Sequence, residues 1–229
     1  MLRARDVVMQ ALEQVASRLE SELPKLVFVG GAVAALYDEL ELDIRPTKDV
    51  DVISTVTLPE YYALLARLRS SGFKEATAPG CPVCRLELES GLAIDVMPTD
   101  AKVLGFSNRW YEEAARNAQT YVLRNGIELR ALSPLYFVAT KLEAFKGRGH
   151  GDFRASHDLE DVLVVLGQSS QLRDTVKEAT SVVATYVRDE LVELSKSRDF
   201  IDAVPGCFVG DDDAQEVAAS LTRWLLVLP

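Results

Sequence analysis

Residues 26–54 decide how this chain reads: Leu26-Val27-Phe28-Val29-Gly30-Gly31-Ala32-Val33-Ala34-Ala35, then a loop with Pro46, then Thr47-Lys48-Asp49-Val50-Asp51-Val52-Ile53-Ser54. Leu26 to Val29 is β-branched and aromatic and too short for a helix, so it reads as a buried strand. Gly30-Gly31 makes a turn, and the alanines that follow predict a helix over residues 32–40. From Asp49 to Ser54 acidic and apolar residues alternate with period two. That pattern predicts a second strand with Asp49 and Asp51 on one face, about 6.6 Å apart along the chain.

Moving outward, Val8, Leu12, Val15 and Leu19 recur at helical spacing, and Pro24 stops that helix. Pro59 opens a helix to about Ser70, ended by Gly72. Strands are predicted over 84–88 and 92–97 around the turn Glu89-Ser90-Gly91, and a short helix over 110–116. Two more strands, over 120–123 and 127–132, meet at Asn125-Gly126, a strong hairpin signal. Ser133-Pro134 then supplies a cap and a first helical position. Beyond it only helices are predicted, over 135–146, 156–166, 171–196 and 214–226. The expected fold class is α/β (α+β): a mixed-sheet core over 1–132 and an all-helical C-terminal domain over 133–229.

The composition of 48% hydrophobic and 26% charged residues excludes a disordered or low-complexity chain. Three cysteines cannot form a disulfide framework, and their odd number fits a reducing compartment. Cys81-Pro82-Val83-Cys84 has zinc-knuckle spacing but no second pair beside it, so two ordinary thiols are expected. No run approaches the roughly 20 apolar residues of a membrane span, and Asp6 and Glu13 interrupt any signal core. A cytoplasmic protein with no membrane partner is expected. A net charge of −10 argues against broad nucleic-acid binding, though not against a local basic patch.

Asp-x-Asp alone also describes two solvated acids at a strand end, and Gly-Gly alone a tight turn. Asp95 changes the weighing. It interrupts the apolar strand Ala93-Ile94-Asp95-Val96-Met97, where an unpaired charge costs several kcal/mol. If that strand lies beside Asp49 and Asp51, three carboxylates converge, an oxygen-rich set suited to Mg²⁺ or Mn²⁺. A glycine turn lets backbone approach a polyphosphate.

Gly30-Gly31, Thr47-Lys48-Asp49-Val50-Asp51 and Asp95 together resemble the nucleotidyltransferase superfamily that includes DNA polymerase beta. Ala139-Thr140-Lys141-Leu142-Glu143-Ala144-Phe145, Arg148 and His157-Asp158-Leu159-Glu160-Asp161 are similar to its AbiEii/AbiGii toxin-type members. The resemblance implies a nucleotidyltransferase core in which Asp49, Asp51 and Asp95 bind Mg²⁺ (or Mn²⁺). Gly30, Gly31, Lys48, Lys141 and Arg148 would bind the nucleotide, and Lys141 and Asp158 would complete the catalytic set. It also implies transfer of a nucleoside monophosphate from ATP, CTP or another NTP to an acceptor hydroxyl with release of pyrophosphate. tRNA is the acceptor it suggests, with a cognate antitoxin as partner.

Other readings stay open at this point. The acceptor is a small molecule or a protein side chain in one, and in another the chain is an inactive nucleotide-binding module of a toxin–antitoxin complex. Lys141 is also readable as a surface lysine, and Asp158 as a cap on the helix opened by Ser156. Four cations stand against two acids over residues 139–154, a local positive excess. Gly147, Gly149 and Gly151, around Arg148 and His150, form either a closing loop or a plain helix connection.

Overall fold

A computed structural model describes residues 3–37, 44–47, 49–105, 107–149, 151–208 and 210–229. The chain divides into two compact units: Met1–Leu36 with Arg45–Ser133, and Tyr37–Ile44 with Pro134–Pro229.

The first unit is built on a seven-stranded mixed sheet. Its strands are β1 (Leu26–Val29), β2 (Asp49–Ser54), β3 (Lys74–Glu75), β4 (Arg85–Glu87), β5 (Ala93–Pro98), β6 (Gln119–Val122) and β7 (Glu128–Ala131). Their order across the sheet is β3-β4-β5-β2-β1-β7-β6. β2 runs antiparallel to β1 and parallel to β5, β4 and β5 form a hairpin, and β1 pairs in parallel with β7. β1 sits deep in the sheet, which explains its unbroken Leu-Val-Phe-Val run, buried at every position.

Among the described residues this unit carries four α-helices, α1 (Ala4–Leu19), α2 (Leu58–Ser70), α3 (Ala101–Leu104) and α4 (Tyr111–Arg116). Helix α2 starts with a capping box in which Thr57 and Glu60 satisfy each other's backbone N–H groups. Its buried Tyr61 donates a 2.8 Å hydrogen bond to the Val96 carbonyl, tying the helix to β5.

The second unit is helical among its described residues: α5 (Pro134–Arg148), α6 (His157–Gln168), α7 (Ser170–Glu178), α8 (Val182–Ser195), α9 (Arg198–Ala203) and α10 (Asp212–Leu226). Helix α5 packs on α6 and α8, and α6 on α10. The core here includes Phe137, Val138, Leu142, Leu159, Val162 and Leu163, each no more than 1% exposed. Phe145, Phe153 and Phe200 extend it as an aromatic chain with centroids 6.0 and 5.7 Å apart.

The α/β reading with a mixed sheet and a helical region holds. Several details differ. The helix expected over 32–40 is a 3-10 helix, Gly31–Leu36, as far as described residues run. The long helix expected over 171–196 is two, because Ala179 turns left-handed (φ 45°) to end α7 and Ser181 caps α8. Strand β3 and helices α3 and α9 are short elements that the apolar periodicity does not reveal. Gly147 lies inside α5, and Asp152 N–H donates to the Gly149 carbonyl at 2.9 Å, so this stretch closes one helix and turns toward the next.

Candidate active site

Sheet register builds the first cluster. On β2, Val50 and Val52 are fully buried while Asp49 and Asp51 alternate onto the other face, half-buried. The parallel pairing with β5 sets Asp51 directly beside Asp95 and Asp49 beside the small Ala93. The antiparallel pairing with β1 sets Val29 beside Asp51. One row across the sheet therefore reads Val29, Asp51, Asp95, and the chain turns at Gly30 as it leaves that row.

The turn and the acid touch. Gly30 has φ +70°, and a Cβ there would fall 1.9 Å from Asp51 Oδ2. Only glycine lets the backbone come this close to the carboxylate without strain. The 3-10 helix that follows, Gly31–Leu36, is too short to present a helix dipole to an anion.

The row has a fourth member that the sequence left unassigned. The β4–β5 hairpin places Arg85 opposite Asp95. Its Nε donates to Asp95 Oδ1 at 2.8 Å and its Nη2 to Asp95 Oδ2 at 2.8 Å, a bidentate pair. The same Nη2 donates to Asp49 Oδ2 at 2.6 Å, while Thr47 Oγ1 donates to Asp49 Oδ1 at 3.1 Å. Hydrogen bonding to Asp95 raises the Arg85 pKa beyond its already high value, so the cation is permanent. Burial, then the charge of Asp95, pushes the neighbouring Cys84 thiol up to about 11, so it stays protonated at neutral pH.

Three carboxylates on one face are the oxygen donors that a hard divalent cation takes. Their kind fits Mg²⁺ or Mn²⁺. Their present spacing does not: Arg85 stands between two of them. Among the described residues no group of three His, Cys, Asp or Glu side chains is arranged to hold a metal.

The second unit carries its own charged cluster. Lys141 lies on α5 among apolar neighbours and is only 8% exposed, so it is not a surface lysine. Its Nζ is 3.1 Å from Asp158 Oδ1 and 2.6 Å from Asp161 Oδ2. Arg148 holds Asp158 from the other side through Nε at 2.7 Å and Nη2 at 2.9 Å. Burial alone would lower the Lys141 pKa, but the charges of Asp161 and Asp158 reverse this and raise it. For Asp158 burial pushes upward, and the Arg148 hydrogen bonds with the Lys141 charge hold the carboxyl below its ordinary range.

Asp158 does not cap α6. Ser156 does, accepting from Leu159 N–H. Asp161 is the partner that sequence reasoning missed, although its i, i+3 spacing from Asp158 puts both acids on one helix face.

The structure thus brings together Gly30, Asp49, Asp51 and Asp95 in the first unit, and Lys141, Arg148 and Asp158 in the second. Gly31 opens the 3-10 helix at the turn. Lys48 and His150 lie outside the described residues. Cys81, Cys84 and Cys207 are free thiols. Trp110 is buried, with Arg109 over its ring at 4.9 Å. No described helix is long and apolar enough to cross a membrane.

No protein-family model matches the sequence, and no curated protein matches it. Among solved structures, the chain is similar to an antigenic nucleotidyltransferase-like protein from Paracoccidioides brasiliensis. Identity is 19%, the match covers 88% of this chain and 91% of that chain, and the TM-score is 0.53. At that identity the likeness speaks to architecture: the chain shares the fold of a nucleotidyltransferase-like protein.

Proposed function

We propose that this chain transfers a nucleoside monophosphate from an NTP to an acceptor hydroxyl, releasing pyrophosphate. The observation that carries the reading is the row in which Asp51 and Asp95 lie side by side with the Gly30 backbone against Asp51. A fold of the nucleotidyltransferase-like kind supports it.

Gly30 and Gly31 let backbone approach the triphosphate, with Lys48 as an added cation. Asp49, Asp51 and Asp95 would hold Mg²⁺ or Mn²⁺, which supplies charge stabilisation at the phosphoryl oxygens and helps ionise the acceptor hydroxyl. Asp95, nearly buried, would favour deprotonation of the acceptor hydroxyl. In the helical unit Lys141 is a buried anchor that keeps Asp158 ionised and fixed. Arg148, whose side chain is 72% exposed, holds the same carboxylate from the other side.

The Lys141–Asp158 pair supports a finer reading as an AbiEii/AbiGii toxin-type enzyme that acts on tRNA and is held in check by an antitoxin. The net charge of −10 favours the other acceptor class, a small molecule or a protein side chain. Incubation with Mg²⁺, pooled tRNA and NTP labelled at the α- or γ-phosphate decides between them. The α-label should move to the acceptor and the γ-label should leave as pyrophosphate, with Asp49→Asn and Asp51→Asn each lowering the rate at least a hundredfold. Label in protein or small-molecule fractions moves the acceptor assignment. No α-label transfer with any NTP would make the chain a binding module.

A further inference from the structure

We propose that Arg85 is a built-in counter-cation that a divalent metal must displace, so that metal binding and the Arg85 bonds to Asp49 and Asp95 exclude each other. The inference rests on the proposed transferase reading for why a metal comes to this row.

The geometry is competitive at a single atom. Arg85 Nη2 is 2.6 Å from Asp49 Oδ2 and 2.8 Å from Asp95 Oδ2. Any cation bridging those two oxygens must take the place of that nitrogen. The remaining oxygens of the pair are also engaged: Asp95 Oδ1 accepts from Arg85 Nε at 2.8 Å and Asp49 Oδ1 from Thr47 at 3.1 Å. Asp95 has both oxygens on the guanidinium and Asp49 has one, so a metal shared between the two acids there competes with Arg85 directly.

The arrangement also has a structural purpose. Asp49 and Asp95 gathered on one sheet face repel each other, and Asp95 is only 8% exposed, so screening by water is weak. Arg85 balances them in the metal-free chain. It projects from β4, on the far side of Asp95 from β2, and its long side chain can leave the row while its backbone stays paired. The consequence is quantitative. The apparent metal affinity is the intrinsic affinity multiplied by the fraction of molecules in which the arginine is released. A released fraction of a few per cent weakens binding by tens of fold.

Nucleotide-free calorimetry with Mn²⁺ on the full chain tests this. Arg85→Gln should bind Mn²⁺ at least tenfold more tightly than wild type, and Arg85→Lys, which keeps the charge but loses the fork, should fall between them. In wild type, the Arg85 Nε–H resonance, identified by its loss in Arg85→Lys, should give up its slowed solvent exchange when Mg²⁺ is added. This readout needs no folded glutamine variant.

Mg²⁺ binding with that resonance unchanged would overturn the proposal. So would a folded Arg85→Gln that binds Mn²⁺ no better than wild type, an Arg85→Lys identical to wild type, or no metal binding by any of the three. Failure of nucleotide transfer is a separate result, because none of these measurements contains a nucleotide.

Discussion

A methyl group on residue 30 would sit 1.9 Å from Asp51 Oδ2, on a backbone with φ +70°. Gly30→Ala therefore combines a left-handed penalty with displacement of the carboxylate, and should cost about 2 kcal/mol or more of stability. Nucleotide binding should fall with it. Denaturant unfolding beside nucleotide titration checks this, and an unchanged midpoint would contradict the geometry. The Lys141 cluster makes a pH-dependent prediction. The Asp158 carboxyl is depressed, so its stabilisation is present above the unfolded carboxyl pKa of about 3.9 and lost as pH falls through the folded value. Lys141 is raised, so its contribution is present below about pH 10.4 and lost as pH rises through its folded value. Asp158→Asn should cost about 3 kcal/mol at pH 7, with Asp161 still facing Lys141. The gap to wild type should stay flat between about pH 5 and 9 and narrow as pH falls below the unfolded carboxyl value of about 3.9 toward the depressed folded one. A gap that does not narrow at all as pH falls through that range would show that the loss is one of packing. At this scale the acids were legible because strand period two places Asp49 and Asp51 together and an acid amid Ile94 and Val96 demands a partner. Arg85 was legible too, since a turn over 89–91 already sets residue 85 opposite 95. What sequence cannot supply is that the guanidinium reaches across Asp95 to Asp49, a contact set by the neighbouring strand.

Elements were readable where a local signal marks their ends. The five helices after α5 each open on a Ser or Asp side chain that accepts a backbone N–H: Ser156, Ser169, Ser181, Ser197 and Asp211. The break between α7 and α8 escapes a reading by apolar periodicity because the apolar stripe continues through it. The cap at Ser181 is the local cue, and the left-handed Ala179 is not written in alanine's preferences. Ala179→Gly removes that conformational penalty at the cost of a more flexible unfolded chain. It should stabilise the protein by about 0.5–1 kcal/mol. A lower thermal midpoint for this variant would mean that Ala179 packs its methyl usefully.

The molecule carries two cores, one under a mixed sheet and one among helices, and its two tryptophans divide between them: Trp110 in the first unit, Trp224 in the second. Variants retaining one tryptophan each should report different denaturation midpoints, and coincident transitions would mean a single cooperative body. The change from alternating to helical patterning after Ser133-Pro134 was visible in the sequence. Overall topology was partly legible: the strands could be named, but the order β3-β4-β5-β2-β1-β7-β6 depends on pairings between segments far apart in the chain. The central claim is that this sheet row and the Gly30 turn form a nucleotide site. A crystal structure of the full chain with Mg²⁺ and a non-hydrolysable NTP tests it most directly. The account predicts the triphosphate against Gly30 and Gly31, metal on Asp49, Asp51 and Asp95, and Arg85 withdrawn from both Asp49 and Asp95. Nucleotide bound elsewhere, with Arg85 still bridging the two acids, would contradict it.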